Sequence, residues 1–198
     1  MRTLLQSTAH AHDLDPSFAQ AVAPTSDNLA TATLTASGDD SNNSSVDRHF
    51  FRLTFSGPAT RRLRQVVIDL AGTGLSFDTN PSLGLPFRIG SVNGMSKTAV
   101  VAKFTGTPKT LLTLTFSKTA FAPGDSVEFG VDRDVIAVAS GGNSADLLAG
   151  ATVIIHTLEG ATQIDGQGVF QNNVGAGFSA VDGFGLINAK SALEALLP

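Results

Sequence analysis

TLLTLTFS, residues 110–117, is the stretch that decides the fold. Leu112, Leu114 and Phe116 alternate with Thr113, Thr115 and Ser117. Successive side chains of a strand point to opposite faces, so this stretch has one apolar face and one hydroxyl-bearing face. The same period of two continues outward in both directions. HFFRLTFS (49–56) puts Phe51, Leu53 and Phe55 together, and RQVVIDLA (64–71) gathers Val66, Ile68 and Leu70. SVEFGVD (126–132) sets Val127, Phe129 and Val131 against Glu128 and Asp132. TVIIHTLEG (152–160) sets Val153, Ile155 and Thr157 against His156. One polar face per strand suits antiparallel sheets packed on one side.

The turn-forming pieces GPAT, GTG, NPSLG, VNGM, GTPK, APGD and LEG divide about nine such strands between residues 29 and 170. That spacing predicts a mainly β fold, an antiparallel β-sandwich of Ig-like or jelly-roll-like kind. SADLLAG (144–150) breaks the pattern and reads as a single helical turn. SGDDSNNSSVD (37–47) reads as a small-polar loop. Short helices are expected at both ends. In MRTLLQSTA, Met1, Leu4, Leu5 and Thr8 fall at helical spacing, and residues 10–28, polar with two prolines, read as loop. Near the other end Asn188 suits an N-cap, and Ala189, Ala192, Leu193 and Leu196 form an apolar stripe.

Composition removes several function classes. With 198 residues the chain can bury a real core as one medium domain or two small ones. Charged residues make up 15% and the net charge is −4, so there is no basic patch for a phosphate backbone and nucleic acid is not an expected partner. Cys is absent, which excludes disulfides, thiol catalysis and Cys-based zinc sites. Trp and Tyr are absent too, so stacking platforms for sugars or bases would need Phe, and the 13 Phe suit a core. No run approaches the roughly 18 apolar residues of a membrane span. MRTLLQSTAHAH is too short to hold a signal-peptide core.

The two ends of the chain resemble the last part of a subtilisin-like serine peptidase (subtilase) catalytic domain. LLQSTAHAHDLDP (4–16) is similar to the leucine-rich LLxSTA stretch of that family, and GFGLINAKSAL (183–193) resembles the segment that leads into its terminal helix. In the family a short loop separates these pieces; here about 150 residues of strand pattern stand between them. The resemblance implies three parts: a remnant of the catalytic domain over 1–28 (helix and loop), an inserted β-sandwich over 29–172, and the subtilase C-terminal segment and helix over 173–198. PGDSVEFGVDRDV (123–135) and SADLLAGATVIIHTLEG (144–160) resemble a segment of bacterial surface and secreted β-domains. The implied setting is secreted or cell-surface, with the signal upstream of residue 1.

What the resemblance implies for function is a non-catalytic C-terminal region of a secreted serine endopeptidase. The sandwich would be an accessory domain that binds substrate or a surface, or stabilises the protease. Its partners would be the upstream catalytic domain of the same polypeptide and a protein substrate or cell-surface polymer. The alternative is a free-standing bacterial surface adhesion or ligand-binding module. No catalytic residue is assigned, because the chain holds no GTSxAxP turn and no HGT segment; His10, His12, His49 and His156 all lie in other contexts. Calcium is the one candidate cofactor. Asp132 and Asp134 share a face of an extended segment, and Asn143 and Asp146 follow in SGGNSAD (140–146). Such a set suits Ca²⁺, which takes about 6–8 oxygens. The competing reading makes Asp132 and Asp134 solvated strand ends and Asp146 a cap of the SADLLAG turn. HAHDLD (10–15) and DDSNNSSVD (39–47) are weaker oxygen-rich loops.

Overall fold

In the computed structural model, residues 18–38, 47–80, 87–138 and 144–172 are described. The alternation becomes two facing antiparallel sheets. The first contains β1 (Phe18–Pro24), β2 (Thr31–Ser37), β3 (Phe51–Ser56), β6 (Arg88–Asn93), β9 (Ser126–Gly130) and β13 (Gln171–Asn172), in the order β13-β1-β2-β3-β9-β6. The second contains β4 (Arg61–Asp69), β7 (Val100–Thr105), β8 (Leu111–Phe116), β11 (Thr152–Glu159) and β12 (Thr162–Val169), in the order β12-β11-β4-β8-β7. A two-stranded ribbon of β5 (Leu75–Phe77) and β10 (Arg133–Val135) lies outside both. The expected mainly β, antiparallel sandwich is the fold. Between residues 29 and 170 it has eleven strands, β2 to β12, among the described residues. The ribbon strands are three residues each.

The inward positions are those the alternation marks. Leu112, Leu114 and Phe116 of β8 are buried, as are Phe51, Leu53 and Phe55 of β3, Val66 and Ile68 of β4, and Val153, Ile155 and Thr157 of β11. Cross-strand partners Phe51 and Phe129 stack with ring centroids 5.0 Å apart. Phe121 meets Phe116 edge-on at 4.7 Å and Phe55 at 6.5 Å, tying the sheets together. Each fully buried Leu or Phe of this kind contributes about 1.5–3 kcal/mol of burial free energy.

Two local expectations are corrected. Residues 18–24, read as loop, form β1, which pairs along its whole length with β2 (Phe18↔Ser37 through Pro24↔Thr31). Its inward residues are Ala19, Ala21 and Ala23. Alanine carries little strand propensity and little hydrophobicity, so the alternation gives a faint signal. Residues 18–24 therefore belong to the sandwich. Asp132, expected on the solvent face opposite Val131, is buried along with it. β9 ends at Gly130, so the period of two no longer assigns faces beyond it. The turn expected at SADLLAG is a 3-10 helix over Ala145–Leu148. The terminal helices and the loop centred on 39–46 lie outside the described residues.

The first and last strands seal one edge of the sandwich. β12 leaves the second sheet, passes through buried Phe170 and enters the first sheet as β13, where Ala19 faces Asn172. On the way β12 presses backbone to backbone against β1. A Cβ on Gly166 would stand 2.1 Å from the Pro24 carbonyl oxygen, and one on Gly168 would stand 2.1 Å from that of Val22. Glycine is required there by close approach. The Ser26 amide donates to the Asp165 carbonyl at 2.8 Å across the seam. Arg61, fully buried, bolts the same corner: its Nη2 donates to Asp27 at 2.8 Å and to Glu159 at 2.9 Å.

Candidate functional site

Of the four residues proposed as a calcium site, Asp132, Asp134 and Asp146 are among the described residues. Asp132 follows β9, and its Oδ1 accepts from the Arg133 amide at 3.0 Å. Asp134 lies in β10 opposite Ser76. The ribbon brings Asp78 beside them, its amide donating to the Asp132 carbonyl at 3.0 Å. Burial, then the charges of Asp132 and Asp78, pushes the Asp134 carboxyl above its ordinary value. Asp78 was not singled out in the sequence; its placement depends on the β5–β10 pairing, a long-range contact. Asp146 belongs to the 3-10 helix beside β13, where Asn172 donates to its carbonyl at 2.6 Å and the Ser144 hydroxyl to its carboxylate. Asn143 lies outside the described residues. Among the described residues no three His, Asp or Glu groups converge on a point that could hold a metal ion.

Each described histidine is paired with a carboxylate on an outer face. His49, before β3, meets Glu128 of β9 at 2.6 Å through Nδ1, and the Ser91 hydroxyl donates to the same carboxylate oxygen at 2.7 Å. His49 first, then Ser91, holds the Glu128 carboxyl below its ordinary value. Ser, Glu and His are thus gathered, but the carboxylate stands between hydroxyl and imidazole. A hydrolytic relay needs the imidazole next to the hydroxyl, where it can take the proton. This group is an ion-pair cluster, not a relay. His10 and His12 lie outside the described residues.

His156, central on the outer face of the second sheet, has a different setting. Its Nδ1 meets Asp165 at 2.8 Å, and the Gln163 amide donates to the same Asp165 oxygen at 2.9 Å. His156 first, then Gln163, keeps the Asp165 carboxyl below its ordinary value. Beside this pair the register of β4 against β11 slips: His156 faces Gln65, yet Thr157 faces Leu63. Arg64 is the extra residue of a β-bulge. Leu63 and Val66 both point inward, and Arg64 and Gln65 are displaced together toward solvent. Bulges of this kind re-aim side chains and concentrate next to functional sites. The result is a depression of about 260 Å³ lined by Arg64, Gln65, Thr115, His156 and Gln163.

A second concavity lies at the edge opposite the sealed one. There the edge strands β6 and β7 diverge around a groove of about 530 Å³ lined by Phe87, Ile89, Val100, Ala102 and Phe104, with Arg48 and Arg88 at its rim. Polar and apolar surface line it in similar measure, and no carboxylate is among its lining residues. Among the described residues no helix is long and apolar enough to cross a membrane. Comparison with protein-family models, with curated proteins and with solved structures finds no match to the chain.

Proposed function

We propose that this chain is the accessory, non-catalytic β-sandwich portion of a secreted subtilisin-like serine peptidase. In this reading the sandwich is inserted between two late segments of the catalytic domain and serves to bind a substrate or cell-surface polymer. The observation that carries the reading is the pairing of β1 with β13. Ala19 and Asn172 are antiparallel partners, so the chain enters and leaves the sandwich on neighbouring strands. Such partners have Cα atoms about 4.5–5.5 Å apart, the geometry a domain needs to sit within a loop of another without spreading its ends. The two stretches that resemble the peptidase, 4–16 and 183–193, flank this entry and exit in the sequence. The catalytic residues of such a protein would be contributed by the upstream domain.

Two measurements test this. The first is the DNA sequence upstream of codon 1. A frame running back through a GTSxAxP turn and an HGT segment supports the insertion. A stop codon followed by a ribosome-binding site sinks it and leaves the free-standing surface module. The second applies to the longer protein. Replacing residues 18–172 with a short Gly-Ser linker should leave hydrolysis of a small peptide unchanged and lower retention on the polymer or protein substrate. Loss of small-peptide hydrolysis with the catalytic domain still folded would instead mark the sandwich as part of the catalytic machinery.

A further inference from the structure

We propose that the bulge on the outer face of the second sheet is a binding site for an acidic sugar, a uronate whose carboxylate is taken by Arg64. The inference stands on the geometry of this face and holds whatever the parent polypeptide is. β4 opens with three arginines in RRLR (61–64), and they have separate fates. Arg61 turns inward to Asp27 and Glu159. Arg62 donates to the carbonyls of Ala59 and Arg61 at 2.5 and 2.7 Å. Arg64 has no counter-ion among the described residues, and its Nη1 is covered without a hydrogen-bond partner. A covered donor without a partner is costly, more so when charged. A guanidinium with no bond at Nη1 can turn toward an incoming oxyanion without breaking one there, and a planar carboxylate matches its fork.

The other groups lining the depression select what carries that carboxylate. The Gln65 amide donates to the Thr115 hydroxyl at 3.4 Å and the Gln163 amide to Asp165 at 2.9 Å, which leaves both amide carbonyl oxygens and the Thr115 O–H to meet ligand hydroxyls. His156 has Nδ1 committed to Asp165, which leaves Nε2 as the ring nitrogen to accept from a ligand hydroxyl. Asp165 is itself occupied by His156 and Gln163, so its repulsion of an anion is offset. A ring bearing several hydroxyls and one carboxylate uses all of these groups. An aliphatic carboxylate uses only the arginine, and a neutral sugar leaves the arginine unmet. At about 260 Å³ and open to solvent, the depression has room for a single sugar unit. With no aromatic platform on which to stack it, a single unit should bind on the order of millimolar.

The test is an NMR titration of the full chain with D-glucuronate, following the Arg64 Nε–H and the Gln65 and Gln163 side-chain amides. D-glucose and acetate serve as probes carrying each half of the chemistry. The expected result is a saturable millimolar response to glucuronate, with glucose and acetate at least about tenfold weaker, the worth of the missing charge-assisted bonds. Arg64→Gln should weaken glucuronate at least tenfold with the remaining backbone signals in place. Should that variant not fold, Gln163→Ala on the exposed strand β12 gives an independent reading, and weakening there supports the site equally. No saturable response to glucuronate, a response that survives both variants, or acetate binding as tightly as glucuronate would each overturn the proposal.

Discussion

The two long edges of the sandwich solve the same problem in opposite ways. At one, β12 and β1 come together backbone to backbone, with Gly166 and Gly168 removing the side chains that would keep them apart and Arg61 spanning the corner. At the other, β6 and β7 stay apart, and half-buried Phe87, Ile89 and Phe104 line the gap. The sealed edge has the smallest inward residues, the alanines of β1 and β2; apart from Phe170, the buried phenylalanines lie beyond those two strands. Small inward side chains suit the edge where the two backbones meet, as close packing demands. One edge is determined by what is absent from its side chains, the other by what is present. Substitutions should consequently act more strongly at the sealed edge.

The largest effect is expected at Gly168. A valine there would place its Cβ about 2.1 Å from a backbone oxygen, and neither strand can move without breaking its sheet. Gly168→Val should cost about 3 kcal/mol, at the upper end of overpacking, and should be read as a lowered midpoint of denaturant unfolding. A loss below about 1 kcal/mol would mean that the edge yields easily and that the contrast between the two edges is false.

Arg61 comes next. Arg61→Met keeps much of the buried stem and removes the charge. Removing one partner of a buried pair is costly because the other is stranded, but Asp27 and Glu159 are 30% and 44% exposed and water can reach them. The expected loss is therefore about 1–2 kcal/mol, below the full figure for a buried pair. Thermal melts of the two proteins at neutral pH measure it.

The same corner should also dominate the response to acid. Hydrogen bonds from Arg61, then Thr25 and the Leu29 amide, hold the Asp27 carboxyl down at about 2, against an ordinary 3.8. A carboxyl depressed in the folded state binds its proton more weakly there than in the unfolded chain. Its contribution is present above pH 3.8 and is lost as the pH falls from there toward 2. Stability should drop over that window, and Arg61→Met should flatten the drop. An acid limb unchanged in the variant would place the titrating group elsewhere, with Glu128 and Asp165, also held low, as the next to examine.

Legibility follows the same division. Wherever inward positions carry large apolar residues, the period of two showed both strand and face, as in β3, β8 and β11. The sealed edge was nearly invisible for the reason that makes it tight. Alanines at 19, 21 and 23 weaken the pattern, and the glycines of QIDGQGV (163–169) carry no side chain to alternate, because their place is one of close approach. The bulge left a trace that can be read in retrospect. Leu63 and Val66, both inward, are three apart where an unbroken strand allows two or four. The depression beside it needs Gln163 and His156 brought across from β12 and β11 by pairing, which no local pattern encodes. The acidic cluster was half legible: Asp132 and Asp134 stand two apart in sequence, but Asp78 reaches them only through the ribbon.

The smallest effect is expected at the open edge, and it sharpens the comparison because the change is chemically larger than it looks. Val100→Thr replaces a methyl by a hydroxyl at nearly constant shape. In a sealed core that strands a polar group and costs about 1–3 kcal/mol. Val100 lines the open groove and is only partly buried, so its hydroxyl can find water. Threonine also suits a strand as well as valine does. The expected change is within about 0.5 kcal/mol, with Val66→Thr, fully buried in the neighbouring strand of the same sheet but one, as the matched control. Equal costs at the two positions would mean that water does not enter the groove. The edge would then be closed in solution by something that covers β6 and β7, and the two edges would differ only in what seals them.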